Sequence, residues 1–142
     1  MTVYKEFAPA KINLTLRVLG KRPDGYHELE SLVAFADVGD WVTLDTAKPV
    51  GVTVSGPFAA SIAGANLVEV VLRRLEMEAP QLQLGAVHLE KNLPVAAGIG
   101  GGSADAAAAL RLLARSNKLG PGDPGLMAAA QRTGADVPVC LD

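Results

Sequence analysis

A chain of 142 residues with 49% hydrophobic and 20% charged side chains can bury a core, which excludes a disordered or fibrous polymer. Its net charge of −2 and scattered basic residues exclude a broad electrostatic surface for nucleic acid or membrane. The single cysteine, Cys140, cannot form an internal disulfide, and Lys5, Glu6, Lys11 and Arg17 interrupt any apolar leader, so a reducing, cytoplasmic setting is expected.

From the N-terminus, Ile12, Leu14, Leu16 and Val18 alternate with Asn13, Thr15 and Arg17, the pattern of a half-buried strand. Lys21-Arg22-Pro23-Asp24-Gly25 carries the residues of a chain reversal, and a second strand is predicted from about Tyr26 to Phe35. Val38-Gly39-Asp40 reads as another turn, with strands to follow over Trp41–Leu44 and Val50–Val54. Pro57 to Ala65 reads as loop. At Asn66 the period changes: Leu67, Val70, Val71, Arg74 and Leu75 mark a helical face, with Asn66 as its N-cap. Leu82–Leu89 reads as a strand that leads through Lys91-Asn92 into the most distinctive stretch of the chain.

That stretch is Pro94, Val95, Ala96, Ala97, Gly98, Ile99, Gly100, Gly101, Gly102, Ser103 and Ala104, followed by an alanine-rich helix to about Arg115. Glycines let backbone approach a ligand closely, and the free N–H groups at a helix start favour an anion. With the Ser103 hydroxyl alongside, the stretch suits a nucleotide phosphate. It is not a Walker loop, because no lysine follows the glycines, and it departs from the dinucleotide fingerprint at Ser103. A flexible glycine linker between packed elements is the alternative. Ala104 and Ala106–Ala109 make the helix thin enough to pack tightly on a sheet.

Pro121-Gly122-Asp123-Pro124 breaks the chain, and Asp123 caps a helix predicted to about Arg132 that ends in Thr133-Gly134-Ala135-Asp136. Val137, Val139 and Leu141 alternate like a strand just begun, which suggests a fragment of a longer protein. Strands first, then helices around one later strand, give an α+β class with a mixed sheet.

Few side chains offer chemistry. Lys11 interrupts an apolar segment and Asp136 sits between small and apolar residues; each alone reads as a snorkelling cation or a turn residue. Brought together, the carboxylate could take a proton from a hydroxyl while the ammonium faces a phosphoryl group. Tyr26 and His27 could open a strand, or could stack on a flat ring and hydrogen-bond its edge. Glu28 and Glu30 read as solvated, and His88 has no assigned role. Asp105 could cap the helix, complement its dipole or approach a metal. No Cys/His cluster points to a transition metal.

Ala8-Pro9-Ala10-Lys11-Ile12-Asn13-Leu14, Arg22-Pro23-Asp24-Gly25-Tyr26-His27-Glu28-Leu29, the glycine stretch and Gly134-Ala135-Asp136-Val137-Pro138 together resemble the GHMP kinases. Within them, they resemble the branch that phosphorylates a cytidine-diphosphate derivative of methylerythritol, in non-mevalonate isoprenoid biosynthesis. The resemblance implies the N-terminal domain of that fold, similar to ribosomal protein S5 domain 2, with helices on one face of the sheet. It implies residues 1–142 as an ATP-binding domain whose C-terminal companion lies outside this chain, so that the chain alone would not turn over. It also implies ATP as co-substrate with Mg²⁺, a small-molecule substrate and at most a weak homodimer. By the same resemblance Lys11 and Asp136 are catalytic, and residues 94–104 with Asn66 bind ATP. Asn13, Tyr26 and His27 hold the substrate, and Ser103 is the candidate metal ligand. A homoserine- or mevalonate-type kinase and a non-catalytic nucleotide-binding module are the alternatives.

Overall fold

The computed structural model describes residues 2–21, 27–59, 66–93, 101–120, 122–134 and 137–141, with backbone alone at 11–21, 27–34, 36, 101 and 139. Among the described residues four strands, β1 (Val3–Lys21), β2 (His27–Asp45), β3 (Gly51–Ser55) and β4 (Ala86–Glu90), form one sheet in the order β1-β2-β4-β3. β1 and β2 run antiparallel from Lys21 opposite His27 to Val3 opposite Asp45. β2 is antiparallel to β4, and β3 lies parallel to β4. The helices among the described residues are α1 (Leu67–Glu78), α2 (Gly101–Ser116), α3 (Pro124–Thr133) and α4 (Val137–Leu141).

Period-2 alternation decides which face of the sheet is covered. Ala8, Val42, Leu44, Val87 and Leu89 are buried in the core shared with the helices, whereas Trp41 and His88 on the intervening positions are exposed. The result is the expected α+β architecture, a mixed sheet with helices on one face. α2 fits against β1 and β2 because Ala104 and Ala106–Ala109 are buried with no bulk beyond a methyl group. α1 turns Val68, Val71, Leu72 and Leu75 inward, the i, i+3, i+4, i+7 stripe of an amphipathic helix. A fully buried leucine such as Leu110 or Leu113 contributes on the order of 2 kcal/mol. Arg111 of α2 pairs with Glu6 of β1 and donates to the Cys140 carbonyl of α4 at 2.6 Å, which ties three elements together.

Several boundaries differ from expectation. The first strand begins nine residues earlier than Ile12, at Val3. The second is a single strand that runs straight through Val38-Gly39-Asp40, where a turn was expected. Gly39 is needed there not for a reversal but for close approach: a Cβ on it would lie 2.1 Å from the Ala8 carbonyl oxygen on β1. Between the pairs Pro9–Gly39 and Lys11–Phe35 the register shifts, so the irregularity suggested by the glycine appears as a bulge. Pro9 costs no ladder bond to a further strand, since β1 is an edge. The reversal over 22–26 lies outside the described residues. β4 starts at Ala86 instead of Leu82.

At the far end, Val137–Leu141 is a helix, not the expected strand. Val137 and Cys140 are buried, so the apolar set follows an i, i+3 spacing that the visible Val-x-Val alternation concealed. Pro138 is tolerated in this first turn, where its missing N–H has no helical partner to lose. The two helix caps came out as read. Asn66 Oδ1 accepts from the Val68 amide at 2.8 Å, and Asp123 Oδ2 accepts from Gly125 and Leu126 at 3.1 and 3.2 Å.

Candidate functional site

β4 delivers the chain to the glycine-rich stretch, and α2 takes it away. Lys91, just beyond β4, is fixed through its backbone: its N–H donates to the Ser55 carbonyl at 2.8 Å, and its carbonyl accepts from Phe58 at 3.3 Å. Gly56 makes this possible. It adopts φ +98°, and a Cβ there would stand 2.6 Å from the Lys91 oxygen.

The Lys91 side chain turns into the core and ends between two carboxylates. Its Nζ donates to Asp40 Oδ2 at 2.6 Å and to Asp105 Oδ2 at 2.7 Å. All three side chains are buried, with 4% or less of each exposed. Asp40 Oδ1 also accepts from the amides of Asn92 and Leu93, at 2.7 and 2.9 Å. Asp105 Oδ1 has no hydrogen-bond partner among the described residues. Burial pushes the Asp105 carboxyl up to about 8, aided by the neighbouring Asp40 and only partly opposed by Lys91. Burial also works against the Lys91 charge, but the two carboxylates outweigh it and raise its pKa.

The start of α2 meets the start of α1. Leu67, the first residue of α1, would touch a Cβ on Gly102 at 3.4 Å through its Cδ1. The Leu67 side chain at the start of α1 thus packs against Gly102 at the start of α2. Ser103 is half-buried there, and Ala104 behind it is buried. Asn66 spends its Oδ1 on the α1 cap.

The other expected site residues are distributed as follows. Lys11, Asn13 and His27 lie on the β1–β2 pair, opposite Phe35, Val33 and Lys21. Tyr26, Asp136 and Pro94–Gly100 lie outside the described residues, and with them the encounter of Lys11 with Asp136. Asp40 and Lys91 were absent from the expected set, although strand parity pointed to both. Asp40 shares the parity of Val42 and Leu44, and Lys91 that of Val87 and Leu89, so each falls on the covered face of its strand. An acid and a base on the same covered face imply a partner for each. Among the described residues no three Asp, Glu, His or Cys side chains gather as a metal site. Nor is any helix among them long and apolar enough to cross a membrane.

Residues 66–142 match the family model for the GHMP kinases N terminal domain. The chain belongs to the GHMP kinases. The match begins at the α1 cap and takes in both helix starts, Lys91, Asp105 and the glycine-rich stretch, and leaves Asp40 outside. The chain is 59% identical to a 4-diphosphocytidyl-2-C-methyl-D-erythritol kinase of Rhodopseudomonas palustris, over 99% of this chain and 48% of that protein. It is 60% identical to the kinase of the same name from Methylobacterium radiotolerans, over 100% of this chain and 50% of that protein. The chain thus spans about half the length of the curated relatives it matches. A crystal structure of 4-(cytidine 5'-diphospho)-2C-methyl-D-erythritol kinase superposes with a TM-score of 0.69 at 36% identity, covering 97% of this chain and 48% of that one. Homoserine kinase from Cytophaga hutchinsonii shares the fold, with a TM-score of 0.60 at 20% identity, over 100% of this chain and 43% of that one.

Proposed function

We propose that this GHMP kinase domain serves the ATP-dependent phosphorylation of the 2-hydroxyl of 4-diphosphocytidyl-2-C-methyl-D-erythritol, a step of non-mevalonate isoprenoid synthesis. The observation that carries the reading is the contrast in identity. Kinases of that name are 59–60% identical across 99–100% of the chain, whereas the homoserine kinase shares only the fold at 20%. The Asp24-Gly25-Tyr26-His27 block supports the same substrate, because a flat ring beside a hydrogen-bonding edge suits a cytosine. The partner is this small molecule, the homodimer at most weak, and the compartment the cytoplasm.

In the proposed reaction the 2-hydroxyl oxygen bonds to the γ-phosphorus, the bond from that phosphorus to the ADP oxygen breaks, and the hydroxyl proton passes to Asp136. Lys11 faces the charge that develops on the transferring group. Pro94 to Ala104 wrap the phosphates, with Asn66 towards the adenine, while Asn13, Tyr26 and His27 hold the acceptor. Magnesium would neutralise phosphate charge. It characteristically takes only one or two protein oxygens and completes its shell with phosphate and water. Ser103 at the α2 start fits that modest demand, whereas Asp105 Oδ2 is already engaged by Lys91.

The test is phosphoryl transfer by this domain joined to the C-terminal domain of the family, read as ADP release, with the cytidyl substrate, homoserine and mevalonate offered separately. Turnover with the cytidyl compound alone is expected, falling on the order of 10²-fold or more in Asp136→Asn. Phosphorylation of homoserine or mevalonate instead would overturn the reading.

A further inference from the structure

The buried cluster sits where it costs most and achieves something specific. Removing charged groups from water costs several kcal/mol per ion, and well-packed apolar residues of similar volume commonly serve stability as well or better. Here one ammonium and two carboxyl side chains are nearly inaccessible, and Asp105 Oδ1 lacks a hydrogen-bond partner among the described residues. Ala104 and Ala106, which flank Asp105 in the chain, are apolar and buried, as is Leu93. Stability alone gives no reason for the arrangement, but its connections do. Asp40 belongs to β2, Lys91 follows β4, and Asp105 lies in the first turns of α2, 14 positions after Lys91. The bonds therefore join the strand that enters the glycine-rich stretch to the helix that leaves it. Asp40 adds the Asn92 and Leu93 amides to the same knot.

We infer that Lys91 and Asp40 are positioning residues: acting through Asp105, they fix the first turn of α2, and with it Gly102 and Ser103, against the end of β4. None of the three needs to touch nucleotide for this. The clamp sets where the α2 amides and the Ser103 hydroxyl point, and its consequence for ATP rests on the phosphate-binding role proposed above for that turn.

The test uses Asp105→Ala and Asp105→Asn, because Lys91 keeps Asp40 in both and the fold survives. In the nucleotide-free protein, amide exchange at residues 105–107 is expected to speed up about tenfold in Asp105→Ala. Asp105→Asn, which retains an oxygen for the ammonium, should restore the wild-type rate. In parallel, the KM for ATP should rise about tenfold in the alanine variant with the KM for the alcohol unchanged. A merely structural role would lower the folded fraction and leave both KM values alone. Unchanged exchange at 105–107, or an asparagine variant as impaired as the alanine one, would overturn the clamp. Altered exchange in a protein that binds no ATP would retain the clamp as the device that fixes α2 and overturn the kinase reading instead.

Discussion

Asp40 accepts the Lys91 ammonium at 2.6 Å across 51 positions of sequence, with both side chains almost completely buried. Removing Asp40 leaves the buried Lys91 ammonium with Asp105 alone and takes the acceptor from the Asn92 and Leu93 amides. Asp40→Ala is therefore expected to cost about 3–5 kcal/mol of stability, read as a lower denaturant midpoint. Adding Lys91→Met should recover part of that loss, since the buried cation left with Asp105 as its one carboxylate is then gone. A double variant as unstable as the sum of the two single ones would show that the pair is not coupled.

Asp105 gives the fold a pH dependence of defined sign. Its native carboxyl titrates near 8 against an ordinary value of 3.8. Between those values the native state holds a proton that the unfolded chain has released. The contribution to stability is therefore fully present below about pH 4 and is lost as pH rises through about 8. Denaturant midpoints measured from pH 6 to 9 should fall with rising pH, and Asp105→Asn should flatten the slope. A wild-type slope identical to that of the asparagine variant would mean that Asp105 is not the titrating group.

Gly39 is a site of close approach between β1 and β2. Placing a methyl group 2.1 Å from the Ala8 oxygen forces the strands apart, so Gly39→Ala should cost about 1–3 kcal/mol. Gly51, whose added Cβ would meet nothing within 4 Å, is the control, and Gly51→Ala should leave the thermal midpoint nearly unchanged. Equal losses at the two positions would remove the steric explanation.

Asn66 caps α1 through a 2.8 Å bond to Val68. Asn66→Ala should destabilise the protein by about 1 kcal/mol, whereas Asn66→Asp keeps an accepting oxygen and should nearly restore it. If the aspartate variant is stable yet binds ATP less well than wild type, the amide nitrogen is the part that serves the nucleotide.

Local chemistry made much of the fold readable. The Asn66 and Asp123 caps and the thin alanine helix each depend on residues a few positions apart and came out close to where the sequence put them, while the alternating strands were found with shifted ends. What escaped depends on neighbours distant in the chain. Val38-Gly39-Asp40 has the composition of a turn, and only the approach of Ala8 shows that the glycine accommodates a second strand. Val137–Leu141 alternates over too few residues to separate period 2 from i, i+3. The family motifs supplied the phosphate stretch proposed here and its proposed acidic and basic partners. They gave no hint of the Lys91 cluster, whose members lie on three separate elements, although the parity of Asp40 with Val42 and Leu44 was there to be followed.

The outer face of the sheet carries the chain's one tryptophan, Trp41, opposite Phe7 on the neighbouring strand with ring centroids 5.1 Å apart. The Lys5 ammonium stands 4.8 Å from the indole. All of the indole emission therefore arises at the junction of the two long strands, on the side away from the helices. Fluorescence reports when that strand pair separates, while circular dichroism at 222 nm follows the helical layer. Comparing the two signals during denaturation shows whether sheet and helices come apart together.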